Sequence, residues 1–249
     1  MSTPPGTAPT PGTVLLSGIV GSTAYGLAHA GSDLDRLGLF AAPTEDFHGL
    51  RLPVESQVTT APDRTLHEAA KWCRLALRCN PTASELVWLP DDLYEVRTPL
   101  GEELIAIRRS FLSARAVRTA YLGYATQQFR KLRTRDTADP ATRARAAKHA
   151  RHLVRLLEQA VHLHEAGHNL VRLPDPERVR DLGERIADDP ARAEGLLAAA
   201  TERLDHPGVL PDHPDDRPAE AWLRRVRAAH WTDRPPTAHR TNHPPDSHA

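Results

Sequence analysis

The chain has only two cysteines in 249 residues and no net charge, with 32 basic residues standing against 32 acidic ones. Two thiols are too few for a disulfide framework, and Cys73 and Cys79 fall in one predicted helix, away from i+3 and i+4 spacing. They are expected as free thiols in a reducing compartment. The charge balance excludes a global attraction to nucleic acid or to a membrane surface, so any attraction to polyphosphate has to be local. No apolar run is long enough to span a bilayer. Residues 1–12, rich in Pro, Thr and Gly, lack the basic and apolar regions of a signal peptide. There is no internal repeat. The expectation is a cytoplasmic protein without a membrane partner, long enough to bury a substantial core.

What is present is concentrated near the N-terminus. An apolar run of strand length, residues 13–20, reaches a turn at Gly21-Ser22. A short polar bend leads to Asp33-Leu34-Asp35, which opens a second apolar run predicted as a strand over 33–42. Side chains alternate along a strand, so Asp33 and Asp35 are expected on one face. Carboxylates held that close repel each other unless a cation lies between them. Hard oxygen ligands suit magnesium, which also takes phosphate oxygens. Gly21 lets the backbone approach a phosphate closely, and Ser22 adds a hydroxyl at a helix start. A phosphate cradle beside paired metal carboxylates is equipment for moving a nucleotidyl group. The bland alternative is a Gly-rich hairpin carrying two surface aspartates.

Beyond the motif, residues 54–60 alternate weakly and suggest a third strand, with Asp63 just after it. A helix is expected over 65–78 and a short one near 82–89 after Asn80-Pro81. From residue 99 strand signals disappear and helices are expected over 101–109, 111–133, 141–166, 176–187 and 191–204. The clearest is 141–166, where Ala146, Ala150, Leu153, Leu157 and Ala160 recur at helical spacing and Gly167 stands as the C-terminal cap. The class expected is therefore α+β. A flexible leader (1–12) precedes a core with a short mixed sheet (13–95). A helical region (96–204) follows, then a Pro- and His-rich tail (205–249), expected to be largely disordered apart from a short helix around 219–231.

The stretch Gly21-Ser22-Thr23-Ala24-Tyr25-Gly26-Leu27, followed by Ser32-Asp33-Leu34-Asp35, resembles the signature of the DNA polymerase β nucleotidyltransferase superfamily. More narrowly it resembles bacterial nucleotidyltransferases grouped with RNA-repair-associated polymerase-β-like proteins. The segments 67–72, 80–88 and 148–156 look like the same family, and the likeness covers roughly residues 13–175. It implies a polymerase-β-like head and a magnesium- or manganese-dependent transfer of a nucleoside monophosphate from a nucleoside triphosphate to an acceptor hydroxyl. Carried over, Gly21 and Ser22 would hold the triphosphate, and Asp33 and Asp35 the metal. Asp63 would be the third carboxylate, with Glu68 as fallback. AMP from ATP is the default donor chemistry and an RNA end the expected acceptor. A protein hydroxyl, as in toxin–antitoxin nucleotidyltransferases, and a non-catalytic nucleotide- or RNA-binding relative are the alternatives.

Two further patterns compete for attention. Lys148, His152 and Arg155 share one helix face, as a cationic wall for the triphosphate or an RNA acceptor, or as a solvated face. Lys71 and Arg74 carry the same two readings. His164-Glu165-Ala166-Gly167-His168 matches the zinc-peptidase pattern H-E-x-x-H. Gly167 inside it argues that the helix ends before both imidazoles can face one metal. His206, His213, His239, His243 and His248 are expected as solvated loop residues. Tyr25 is read as a packing residue or a base-stacking platform, and Asn80 and Glu85 as a cap and staple near the cleft.

Overall fold

The computed structural model describes residues 11–133 and 140–231. Residues 1–10 of the leader and residues 232–249 of the tail, with His239, His243 and His248, lie outside the described residues. The architecture is α+β, as expected. A five-stranded mixed sheet has the order β3-β4-β2-β1-β5, with β1 Thr13–Ile19, β2 Arg36–Ala41, β3 Ser56–Thr60, β4 Asp63–Glu68 and β5 Tyr94–Arg97. Strand β2 is antiparallel to β1 and parallel to β4, and β3 and β5 form the two edges.

Between β1 and β2 lies the single short helix α1, Gly21–Tyr25. After β4 come α2 Ala69–Leu77 and α3 Pro81–Glu85; β5 follows, then α4 Pro99–Ala106. The helical body consists of α5 Ala114–Arg133, α6 Pro140–Ala166, α7 Pro176–Asp188 and α8 Arg192–Asp205; α9, Arg217–Ala229, follows. Gly167 closes α6 at φ +69°, its amide donating to the Leu163 carbonyl at 2.9 Å. Cys73 and Cys79 are both free and buried.

Three local expectations are corrected. Residues 65–68 are strand, and the helix begins only at Ala69. The backbone of β4 is paired on both sides, with β2 (Arg36 opposite Arg64 through Phe40 opposite Glu68) and with β3 (Ser56 opposite His67 through Thr60 opposite Asp63). Glu68 then serves as N-cap of α2, its carboxylate accepting from the Ala70 amide at 2.8 Å, a satisfied helix donor that fixes the start. Second, β2 begins at Arg36, so Asp33 and Asp35 occupy the extended approach to the strand. Third, residues 94–97, astride the expected boundary between core and helical region, pair with β1 as the edge strand β5.

Two cores result. One covers the sheet face beneath α2, α3 and α4 and includes Leu15, Leu37, Leu39, Trp72, Leu86 and Phe111. Trp222 of α9 belongs to that same core; it is fully buried, with its indole N–H on the Leu100 carbonyl at 2.8 Å. The other core lies inside the helical body and draws on Tyr121, Leu153, Leu156, Val179 and Ile186, with Tyr25, Leu27 and Trp88 packed against its edge. The face of α6 that carries Lys148 looks back toward α1 and the approach to β2 across a cleft. No described helix is long and apolar enough to cross a membrane.

Candidate active site

The cleft, of about 530 Å³, lies between the head and α6. Its head side is built from one turn. Gly21 opens α1 at φ +70°, a conformation that L side chains rarely adopt. A Cβ at this position would sit 2.1 Å from Asp35 Oδ2, so the missing side chain is the space the Asp35 carboxylate occupies. The Val20 amide donates to the Asp35 carbonyl at 3.0 Å and ties the two segments together. Gly21, Ser22, Asp33 and Asp35 all line the cleft, while Leu34 between the aspartates does not.

The parallel register of β2 and β4 runs from Arg36 opposite Arg64, so Asp35 and Asp63 are the residues immediately preceding that pair. Asp63 is exposed at the start of β4, within electrostatic reach of Asp35. The Asp35 carboxyl titrates above the usual carboxylate range. Burial contributes most, then repulsion from Asp63, with a smaller push from Asp33; the Lys148 ammonium pulls the other way. Asp33 and Asp35 therefore stand together at one end of the cleft, and Asp63, outside its lining, acts on Asp35 through its charge.

Glu68, the fallback carboxylate, is engaged elsewhere. It is buried, caps α2 and accepts from Arg227 Nη1 of α9 at 2.7 Å. Lys71 and Arg74 pair with Glu55 and do not line the cleft.

The α6 side presents Lys148, His152 and Arg155, and with them His149 and Arg151. These last two were not picked out from the sequence, although they stand within the helical arc that contains Lys148 and His152. Gln128 of α5, also unforeseen, accepts through its Oε1 from His149 Nδ1 at 2.7 Å. Lys148 is exposed. Arg155 is the opposite: only 1% of its surface is exposed. Its Nη1 donates to Glu85 Oε1 at 3.1 Å and to Gln159 Oε1 at 2.6 Å, and its Nη2 to His152 Nδ1 at 3.0 Å. Its guanidinium lies 4.0 Å from the centre of the Tyr25 ring. The Tyr25 hydroxyl donates to both Glu85 oxygens at 2.7 Å, so Tyr25 is part of the packing and one ring face is already taken. Burial pushes the Glu85 carboxyl up, against the pull of Arg155 and Tyr25. Asn80 caps α3 by accepting from the Ala83 amide and donates its own amide to the Tyr124 hydroxyl.

The H-E-x-x-H residues do not converge. His164 is buried with Nε2 at the His206 carbonyl, Glu165 pairs with Arg203, and His168 Nε2 meets His162 Nε2 at 2.9 Å. The helix stops at Ala166, between the two imidazoles. Among the described residues no three His, Cys, Asp or Glu side chains form a ready metal cage. Magnesium asks for less: it is held by one or two carboxylates together with substrate phosphates. Hard oxygen donors at Asp33 and Asp35, repelling one another beside a cradle that a Cβ would fill, fit that ion.

A protein-family model described as RNA repair pathway DNA polymerase beta family matches residues 7–203 of this chain. Comparison with curated proteins finds no match. Among solved structures, a nucleotidyltransferase-like protein from Exiguobacterium sibiricum 255-15 is similar at 15% identity and a TM-score of 0.33, over 91% of this chain and 77% of that one.

Proposed function

Since this chain belongs to the RNA repair pathway DNA polymerase beta family, we propose that its cleft transfers a nucleoside monophosphate from a nucleoside triphosphate to an acceptor hydroxyl on RNA. The observation that carries the reading is the pair Asp33 and Asp35 beside the Gly21-Ser22 turn, where Asp35 Oδ2 fills the space a Gly21 Cβ would take, opposite a cleft wall that bears Lys148. AMP from ATP is the default, since ATP is the abundant triphosphate.

The acceptor oxygen attacks the α-phosphorus in line with the bond to the β-phosphate. That bond breaks, pyrophosphate leaves, and the acceptor proton passes to a carboxylate, for which Asp63 is the choice. The Gly21-Ser22 turn lets the backbone and a hydroxyl approach the phosphates closely. Lys148, on the opposite wall, offers a positive charge to the departing oxygens. Asp33 and Asp35, with Asp63, would hold magnesium or manganese, which when bound screens the negative charge of carboxylates and phosphates and acidifies the acceptor hydroxyl. Positioning and electrostatics thus do most of the work, as is general for phosphoryl transfer.

The test is transfer of label from each α-labelled nucleoside triphosphate to RNA and protein acceptors with magnesium or manganese, against an Asp33→Asn/Asp35→Asn control. Label on RNA that the control lacks supports the reading. Label on protein only would replace the acceptor, and no label with any donor would replace catalysis by binding.

A further inference from the structure

The hydrogen bonds around Arg155 fix more than its own position. A guanidinium has donors only and stays charged in any protein environment. Its Nη2 lies 3.0 Å from His152 Nδ1, so Nδ1 has to be the acceptor and cannot carry a proton. The ring proton of His152 therefore sits on Nε2, because the bond made by one imidazole nitrogen sets the state of the other. Arg155 cannot swing away to release this constraint, being buried and held by Glu85 and Gln159. Gln159 is anchored in turn, its amide donating to the Leu170 carbonyl at 3.0 Å. The surroundings act in the same sense. Burial, and then the charges of Arg155, His149, Lys131 and Lys148, hold the His152 imidazole down at about 3. From the head, Tyr25, Asp33 and Asp35 line the same cleft.

We propose that His152 meets the phosphate tail of the donor nucleotide as a permanently neutral Nε2–H donor, and that Arg155 is the positioning residue that keeps it so. This assignment rests on the nucleotidyltransferase reading of the cleft. It also reassigns Arg155, whose place on the α6 face suggested a ligand of the triphosphate. The long-range charge on this wall then comes from Lys148, while His152 supplies a directional bond whose strength does not change between pH 5 and 8. A neutral donor binds an anion without adding a further positive charge beside Arg155, which keeps the two groups compatible at this distance.

Two measurements test it. In the wild-type protein with labelled histidine, nitrogen NMR should show His152 with Nδ1 unprotonated and Nε2 protonated, unchanged from pH 8 to 5. In Arg155→Gln both tautomers should appear and the ring should titrate nearer its ordinary value; if that variant fails to fold, the wild-type spectrum still decides. Calorimetry with magnesium tripolyphosphate, which has the tail without a base, should give binding weakened about tenfold in His152→Ala, the size expected for a hydrogen bond to a charged acceptor. His152→Gln, whose amide can donate from nearly the same place, should stay within about threefold of wild type by the same reckoning. A protonated Nδ1 in the wild type, or undiminished binding by His152→Ala, overturns the assignment even if nucleotidyl transfer is observed. No wild-type binding of tripolyphosphate, with transfer intact, removes the phosphate contact alone; loss of both removes the underlying reading.

Discussion

Replacing Gly21 by alanine perturbs the cleft at the point where backbone and carboxylate meet. The new Cβ would fall 2.1 Å from Asp35 Oδ2, against the 3.0 Å below which Cβ atoms are essentially never found. Either the turn opens or the carboxylate retreats by about 1 Å, and a displacement of that size in a reacting constellation costs on the order of 10²-fold in rate. The residue also stands at φ +70°, which charges an alanine about 1–2 kcal/mol of stability and lowers the melting temperature by roughly 2–8 °C. Asparagine tolerates this backbone but brings the same Cβ. Gly21→Asn should therefore recover most of the stability while remaining as poor in transfer as Gly21→Ala. The assay is transfer from an α-labelled triphosphate alongside thermal unfolding. Alanine and asparagine variants that both transfer within about threefold of wild type, far inside the loss expected from misplacement, would refute the steric reasoning.

Asp35→Asn should abolish transfer yet stabilise the metal-free fold at neutral pH. The folded pKa of Asp35 is raised, so this group favours folding below its unfolded value and loses that contribution as pH rises through the folded one. The gain in urea midpoint over wild type should be present at pH 7 and fade towards pH 4, and added magnesium should raise the wild-type midpoint only. Lys148→Met removes the charge that pulls the Asp35 pKa down; the acidic limb of a kcat/KM profile should move to higher pH, and an unmoved limb would show that Asp35 does not govern it. Trp222→Ala should cost about 3–5 kcal/mol in chemical unfolding, as for other buried aromatic truncations, because this C-terminal side chain completes the core beneath the sheet. A loss under 1 kcal/mol would mean that α9 is only an appendage.

The elements with strong local patterns were readable before any coordinates. Strand β1 is a plain apolar run into a glycine turn, and α6 shows its stripe from Ala146 to Ala160 with a glycine at the end. Strand β4 was hidden because Leu66 falls in helical step with Ala69, Ala70 and Cys73, so the periodicity of α2 seemed to begin early; only pairing on both sides makes it a strand. Strand β5 has four residues, too few for alternation to stand out from the turns around it. In the cleft, residue types and spacing pointed to Gly21, Asp33 and Asp35 as a group. The proximity of Asp63 to Asp35 depends on a parallel register that no local pattern contains. The same is true of Arg155: its helical face is legible, whereas the buried carboxylate that claims it comes from Glu85, 70 residues away.

That Glu85–Arg155 pair also limits how the protein can move. It joins α3 of the head to α6 of the helical body at the floor of the cleft, with both side chains buried. Swinging the two walls apart would part the Arg155 guanidinium from both the Glu85 carboxylate and the Tyr25 ring, so these contacts favour one spacing of head and helical body. On the proposed transfer reading the two walls keep one gap, and it is the nucleotide and its acceptor that must fold themselves to fit it.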